Sequence, residues 1–298
     1  MVRGTNKNLP DYNSPDNLKE ILESFGFSMQ KKFGQNFLIN EKIRSEIISF
    51  LEFNAGTKLW EVGPGLGAMT SMLIEKGAEL TVFEIDKGFS ALLDGFFGTC
   101  KNFKLVLGDV RKTWKEEAGT GKPDIFFGNL PYNISLEFIS SVIEADCGIK
   151  TMLFTVQKEA AQRIIANTGS KNYTALSVLC KRIYNCRIVK IIPPDAFWPK
   201  PHVESAVLLF SLKEQFSSDF IDCKNPHLFT SLVKALFVSR RKTVKNNLGA
   251  WLKQKGFVNL TEAILKKANL KENIRAESLS VYDFLVLSDI VSEMIGKI

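Results

Sequence analysis

Asn129, Leu130, Pro131 and Tyr132 follow the apolar run Asp124-Ile125-Phe126-Phe127 and a glycine, so an amide, a stiff carbonyl and an aromatic ring meet where a strand should end. An apolar run closed by Gly-Asn and a proline reads as a buried strand entering a tight turn, and Asn and Pro are ordinary turn residues. The chemical alternative is a turn that holds the Asn129 amide oxygen, a rigid backbone carbonyl and the Tyr132 face around a planar substrate. A second group lies upstream in "EVGPGLG", Glu61 to Gly67, between a strand and a helix. Glycines there let the backbone pass close to a ligand, and the helix N-terminus adds N–H donors. Such loops bind NAD, FAD or S-adenosylmethionine. Gly63, Gly65 and Gly67 give G-x-G-x-G, however, and the dinucleotide fingerprint needs G-x-G-x-x-G. The next strand ends in "FEID", which puts Glu84 where an acid can accept both hydroxyls of a ribose, a device NAD would share. The strand after it ends in "GDV", so Asp109 can accept from the exocyclic amine of an adenine, with Val110 against the ring. One acid at a strand tip is easily a solvated end. Gly63, Glu84 and Asp109 at three successive tips are not.

These residues need a frame. From Lys58 onward the pattern alternates: strand "KLWEV", helix Ala68–Lys76, strand "ELTVFEI", helix Phe89–Phe97, strands "FKLVLGDV" and "DIFFGNL", helix Leu136–Ile143, strand "TMLFTVQ" and helix "KEAAQRIIANT". Such alternation implies right-handed crossovers and a parallel sheet covered on both faces. Later strands "CRIVKII" and "ESAVLLFSL" flank the proline-rich "PPDAFWPKPHV" and suit an antiparallel edge. After Lys213 only helical periodicity remains. The expected architecture is α/β, a Rossmann-like, mainly parallel doubly wound sheet followed by a small all-α domain. Its divisions are an N-terminal extension over 1–27, the sheet domain over 28–213 and the helical domain over 214–298. Within the extension, residues to about 17 read as disordered, with a first helix over Leu18–Phe25 and another over Glu41–Phe50.

The chain has 298 residues, 45% of them hydrophobic, enough for a large core. Lys and Arg outnumber Asp and Glu by 39 to 32, a net charge of +7, which favours a polyanionic partner without proving one. No stretch approaches the ~20 apolar residues of a membrane span, and the polar N-terminus has no apolar core of a secretory signal, so a cytoplasmic protein is expected. The 5 cysteines form no C-x-x-C pair and there are only 2 histidines, so neither a disulfide frame nor a metal site is expected.

"KKFGQNFLIN", "EVGPGLGAMT", "FEID", "GDV", "GNLPYNIS", "PPDAFWPKPHVESAV" and "RRKTVKNNL" occur here in an order and spacing that resemble the KsgA family, the small-subunit (16S) ribosomal RNA adenine N6,N6-dimethyltransferases. The resemblance covers residues 28 to 295. Trp198 and the polar extension are the visible departures. It implies a Rossmann-like S-adenosylmethionine-dependent methyltransferase that makes N6,N6-dimethyladenosine and serves small-subunit maturation. The implied partner is small-subunit ribosomal RNA or a pre-30S particle, bound by a monomer with no membrane contact and no metal. It implies cofactor binding by Asn36, Leu38, Gly63, Glu84, Asp109 and Asn129, of which Asn36 and Leu38 rest on the resemblance alone. Catalysis would fall to Asn129, Leu130, Pro131 and Tyr132. Two acceptors, the Asn129 amide oxygen and the Leu130 or Pro131 carbonyl, would take the two amine hydrogens so that the nitrogen lone pair can aim at the methyl. Phe197 matches the family's base-stacking aromatic and would supply the second face. Its bland alternative is a core side chain on a proline-rich loop. A base held between rings must be unpaired or flipped out. RNA capture is expected at Arg240, Arg241, Lys242 and Lys245, beside the expected domain junction, with Lys31, Lys32, Lys181, Arg182, Lys266 and Lys267 as outlying candidates. The rival readings are a large-subunit ribosomal RNA dimethyltransferase, a non-catalytic assembly factor of the same fold and, disfavoured by glycine spacing, a nicotinamide-dependent oxidoreductase.

Overall fold

The computed structural model describes residues 9–26, 36–214 and 223–296. Nine strands occur among them: β1 Phe37–Leu38, β2 Lys58–Val62, β3 Glu79–Glu84, β4 Phe103–Leu107, β5 Ile125–Asn129, β6 Thr151–Gln157, β7 Tyr184–Ile192, β8 Phe197–Trp198 and β9 Ser205–Leu212. The helices are α1 Pro15–Ser24, α2 Glu41–Ser49, α3 Ala68–Glu75, α4 Lys87–Phe97, α5 Val110–Thr120, α6 Ser135–Glu144, α7 Lys158–Ile164, α8 Ala175–Ile183, α9 Pro226–Phe237, α10 Val244–Gln254, α11 Thr261–Lys267 and α12 Val281–Ile295. The chain forms two compact units. One comprises residues 1–141, 147–161 and 187–211, the other residues 142–146, 162–186 and 212–298.

In the first unit the strands form a 7-stranded sheet in the order β4-β3-β2-β5-β6-β9-β7. β4, β3, β2, β5 and β6 run parallel, and β9 is antiparallel to β6. The expected mainly parallel sheet with an antiparallel edge is therefore what the chain forms. β2, β5 and β6 are buried almost throughout, which is why they read as continuous apolar runs. Successive connections leave β2 toward β3 on one side while β5 lies on its other side, so the strand order reverses between β2 and β5. A crevice opens beyond the carboxyl ends at such a point. Beside this sheet β1 and β8 make a separate antiparallel ribbon, with Phe37 opposite Trp198 and Leu38 opposite Phe197.

Two helices escape the pattern reading. α5 occupies a stretch read as a connection, its N-cap being Asp109, whose side chain accepts from the Arg111 N–H. α8 starts at a capping box between Thr174 and Ser177. The extension also differs from expectation: α1 begins at Pro15, not Leu18, with the Ser14 side chain as N-cap. Residues 9–17 are ordered because Leu18 and Leu22, one helical turn apart, are buried with Leu66, Phe89 and Leu92. Residues 1–8 and 27 lie outside the described part.

In the second unit α9 packs on α8, α10 and α12. Phe229, Leu232, Val233 and Leu236 are buried from α9, and Phe284, Leu287 and Val291 from α12. The strand signal ends after β9 and helices follow, as the periodicity indicates. Among the described residues no helix is long and apolar enough to cross a membrane, and no cluster of metal-ligating side chains occurs. None of the 5 cysteines is in a disulfide, and Cys180 and Cys223 are buried.

Candidate cofactor and substrate site

A single cavity at the carboxyl ends of β2, β3, β4 and β5 gathers Asn36, Leu38, Gly63, Glu84, Asp109, Val110, Asn129, Leu130, Pro131 and Tyr132. The glycine loop forms its floor. Gly63 has φ 65° and Gly67, which caps α3, has φ 90°. A Cβ on Gly63 would stand 3.7 Å from the Asn129 carbonyl oxygen, and one on Gly67 would strike the Phe97 ring at 2.4 Å. Gly67 therefore requires glycine on space as well as backbone, whereas at Gly63 the contact is an ordinary one and it is the left-handed backbone that favours glycine.

Glu84 is 5% exposed at the tip of β3. Burial pushes its carboxyl up to about 7, against the Asp86 backbone N–H that donates to Oε1 at 2.8 Å. Glu61, 1% exposed on β2, is pushed up to about 8, chiefly by burial and further by the charge of Glu84, although the Thr70 hydroxyl donates to it at 2.7 Å. At the β4 tip the Arg111 fork holds Asp109 with Nη2 at 2.6 Å from Oδ2, and Arg111 also reaches Glu137 at 3.0 Å. That guanidinium keeps the Asp109 carboxyl below its ordinary range. An ionised acid thus stands at the β4 tip, and a titratable one at the β3 tip.

At β5 the Asn129 Nδ2 donates to the Asn36 carbonyl oxygen at 3.0 Å. This bond sets the amide's orientation and leaves Oδ1 as its acceptor end. The Leu130 N–H donates to Thr155 on β6 at 3.1 Å, and the Pro131 carbonyl accepts from the Ile134 N–H at 3.2 Å. Of the two carbonyls considered, Pro131's is spent in closing the turn, so Leu130's is the freer acceptor. The Tyr132 hydroxyl lies 2.6 Å from Ser205 Oγ, which fixes the ring, and burial lifts its phenol above the ordinary value.

Phe197 is not brought to this cavity. Its ring is 2% exposed and sits in the core with Leu38, Val207 and Leu209, where the ribbon register puts it beside Leu38. In the structure it takes the packing position of the bland alternative. Trp198 instead stacks on Phe37, with centroids 6.0 Å apart. Pattern reading also missed Tyr12, Leu18, Phe37 and Arg44, all of which line the cavity. A signal was available for α1, because Ser-Pro-Asp at 14–16 is a helix-start sequence and Leu18 and Leu22 share a face.

In the second unit the basic cluster lies on the turn between α9 and α10. Arg240 pairs with Glu277 at 2.9 Å, and Lys245 with Glu262 at 2.8 Å and Glu272 at 3.0 Å. Arg241 and Lys242 are exposed and make no ion pair with a described residue. Among the outlying candidates Arg182 is buried, bound to Asp146 at 2.6 Å, and so is structural. Lys181 reaches the Asn167 amide oxygen at 2.6 Å and Lys267 pairs with Glu293. Lys31 and Lys32 lie outside the described residues.

Residues 26–287 match the family model described as ribosomal RNA adenine dimethylase. The chain is 56% identical over 288 residues to the ribosomal RNA small subunit methyltransferase A of Treponema denticola, covering 96% of this chain and 97% of that one. It is 32% identical to the protein of the same name from Bacillus pumilus, covering 95% and 98%. In fold it resembles a dimethyladenosine transferase from Plasmodium falciparum, with TM-score 0.70 and 24% identity over 86% of this chain and 97% of that one.

Proposed function

The chain belongs to the ribosomal RNA adenine dimethylase family, and from that premise we propose that it transfers methyl groups from S-adenosylmethionine to the N6 amine of adenosines in small-subunit (16S) ribosomal RNA, giving N6,N6-dimethyladenosine during small-subunit maturation. The observation that carries this reading is the convergence of Glu84, Asp109 and the Asn129–Tyr132 turn on one cavity. The residues fit the cofactor. Glu84 would accept from the ribose hydroxyls, Asp109 from the adenine amine with Val110 against its ring, and the left-handed glycine turn brings bare backbone to the cavity floor. When bound, the cofactor supplies an electrophilic methyl on a sulfonium.

An adenine amine is a poor nucleophile because its lone pair is delocalised into the ring. Asn129 Oδ1 and the Leu130 carbonyl would accept its two hydrogens, pyramidalise the nitrogen and direct its lone pair along the transfer axis. Pro131 keeps that carbonyl rigid and the Tyr132 ring offers a face to the base. The proton leaves once the nitrogen is methylated and acidic, so no strong base is needed. After the first transfer one hydrogen remains, and either acceptor can hold it for the second. Arg241 and Lys242, the cluster members without an internal ion pair, are the RNA contacts in this reading, and charge reversal at both should flatten the salt dependence of RNA binding while sparing cofactor affinity.

The test is methyl incorporation from labelled cofactor into purified ribosomal subunits, with the modified nucleoside identified by mass spectrometry. Dimethyladenosine in small-subunit RNA alone is expected. Incorporation only into large subunits would move the chain to the rival substrate, and no incorporation despite intact S-adenosylhomocysteine binding would point to a non-catalytic assembly factor.

A further inference from the structure

Among the described residues that line the cavity, Arg44 is the one cation, beside two acids in the lining, Glu84 and Asp109. It is 3% exposed. A buried guanidinium ordinarily has a carboxylate partner, because desolvating an uncompensated charge is expensive. Arg44 has none within ion-pair distance among the described residues. Its partners are neutral: Nη1 donates to the Leu38 carbonyl at 2.7 Å and to the Tyr12 carbonyl at 3.3 Å, and Nη2 donates to Asn13 Oδ1 at 2.8 Å. The nearby Glu41 is engaged elsewhere, accepting from Asn13 Nδ2 at 3.1 Å. A guanidinium has five N–H donors. Three are used in these bonds, and the Nε–H is buried without a partner. The Nε–H and the remaining hydrogen of Nη2 are the edge of the fork that grips a carboxylate through two parallel bonds.

The ligand that the rest of the cavity suits has a matching group. Glu84 and Asp109 take up its nucleoside, and Asn129 marks the methyl. The wall left over is made by Tyr12, Asn36, Phe37, Leu38 and Arg44. We propose that Arg44 binds the carboxylate of the amino-acid end of S-adenosylmethionine, with the N-terminal segment around Tyr12 as the wall that holds the guanidinium in place. The Tyr12 hydroxyl donates to the Leu66 carbonyl of the glycine loop at 3.1 Å, so this wall is tied to the loop beneath the ligand. The assignment gives the N-terminal extension a use and rests on the cofactor reading above.

The full-length protein tests it by calorimetry with two ligands, S-adenosylhomocysteine and 5′-methylthioadenosine, which shares the nucleoside and sulfur but lacks the amino-acid end. Arg44→Met, which keeps the buried stem, should lower affinity for S-adenosylhomocysteine roughly ten- to a hundredfold, the scale of charge-assisted hydrogen bonds, and leave methylthioadenosine within about twofold. Arg44→Lys should recover part of the loss. Should Arg44→Met fail to fold, the wild-type protein with the carboxamide of S-adenosylhomocysteine gives the same comparison, and a loss of similar size is expected. An equal loss for both ligands in Arg44→Met, or equal affinity of wild type for acid and carboxamide, overturns the assignment while leaving the cofactor reading intact. Failure of wild type to bind either nucleoside overturns the cofactor reading and this with it.

Discussion

The Asn129 amide has two unlike ends, and among the described residues only its nitrogen is engaged, by the Asn36 carbonyl at 3.0 Å. That bond makes Asn129→Asp a harsher change than its shape suggests, because a carboxylate oxygen would then oppose a carbonyl oxygen. With Asn129→Ala the acceptor for the substrate amine is lost altogether, and turnover at saturating cofactor should fall about 10²- to 10³-fold, as for other single transition-state hydrogen bonds. Single-turnover methyl transfer measures it, and a near-normal rate would remove the amide from the mechanism. That Asn129 belongs to a site was legible from residue types alone, since an amide and a proline close an apolar run. Which end of the amide faces the chemistry was not. It depends on Asn36, 93 residues away, and no spacing rule reports such a pairing.

At the scale of elements, the parallel strands were plain because strands buried on both faces are unbroken apolar runs. α5 was not, because only Val110 and Trp114 are buried in it and the stripe is too sparse to register as a period. The β1–β8 ribbon, two residues on each side, is too short for any pattern. It bears on Phe197 nonetheless, since the pairing sets that residue beside Leu38, in the core. Phe197→Ala should therefore cost about 3 to 5 kcal/mol of folding stability, the usual range for deleting a buried phenylalanine. Urea unfolding is the measurement. Unchanged stability together with abolished methyl transfer would return this ring to the substrate base.

For the molecule as a whole, two carboxyls held above their ordinary value of 4.5 make stability and ligand binding respond oppositely to pH. Burial favours the protonated forms of Glu61 and Glu84, so their contribution to the fold is complete below about 4.5 and is lost as pH rises through about 7 and about 8. The ligand-free protein should melt at progressively lower temperature across that window, and Glu61→Gln should remove much of the slope. Affinity for S-adenosylhomocysteine should instead rise about tenfold from pH 6 to pH 8, because only ionised Glu84 accepts both ribose hydroxyls. A flat affinity profile would take Glu84 out of the ligand contact. The ribbon that pairs residue 37 with residue 198 also has a consequence in time. A chain made from its N-terminus on the ribosome has its glycine loop, its first two acids and β1 long before β8 emerges, so the nascent protein carries β1 without its pairing strand through most of its synthesis. A chain stalled before residue 197 would bear the loop, the acids and the Asn129 turn without the ribbon that supports Leu38.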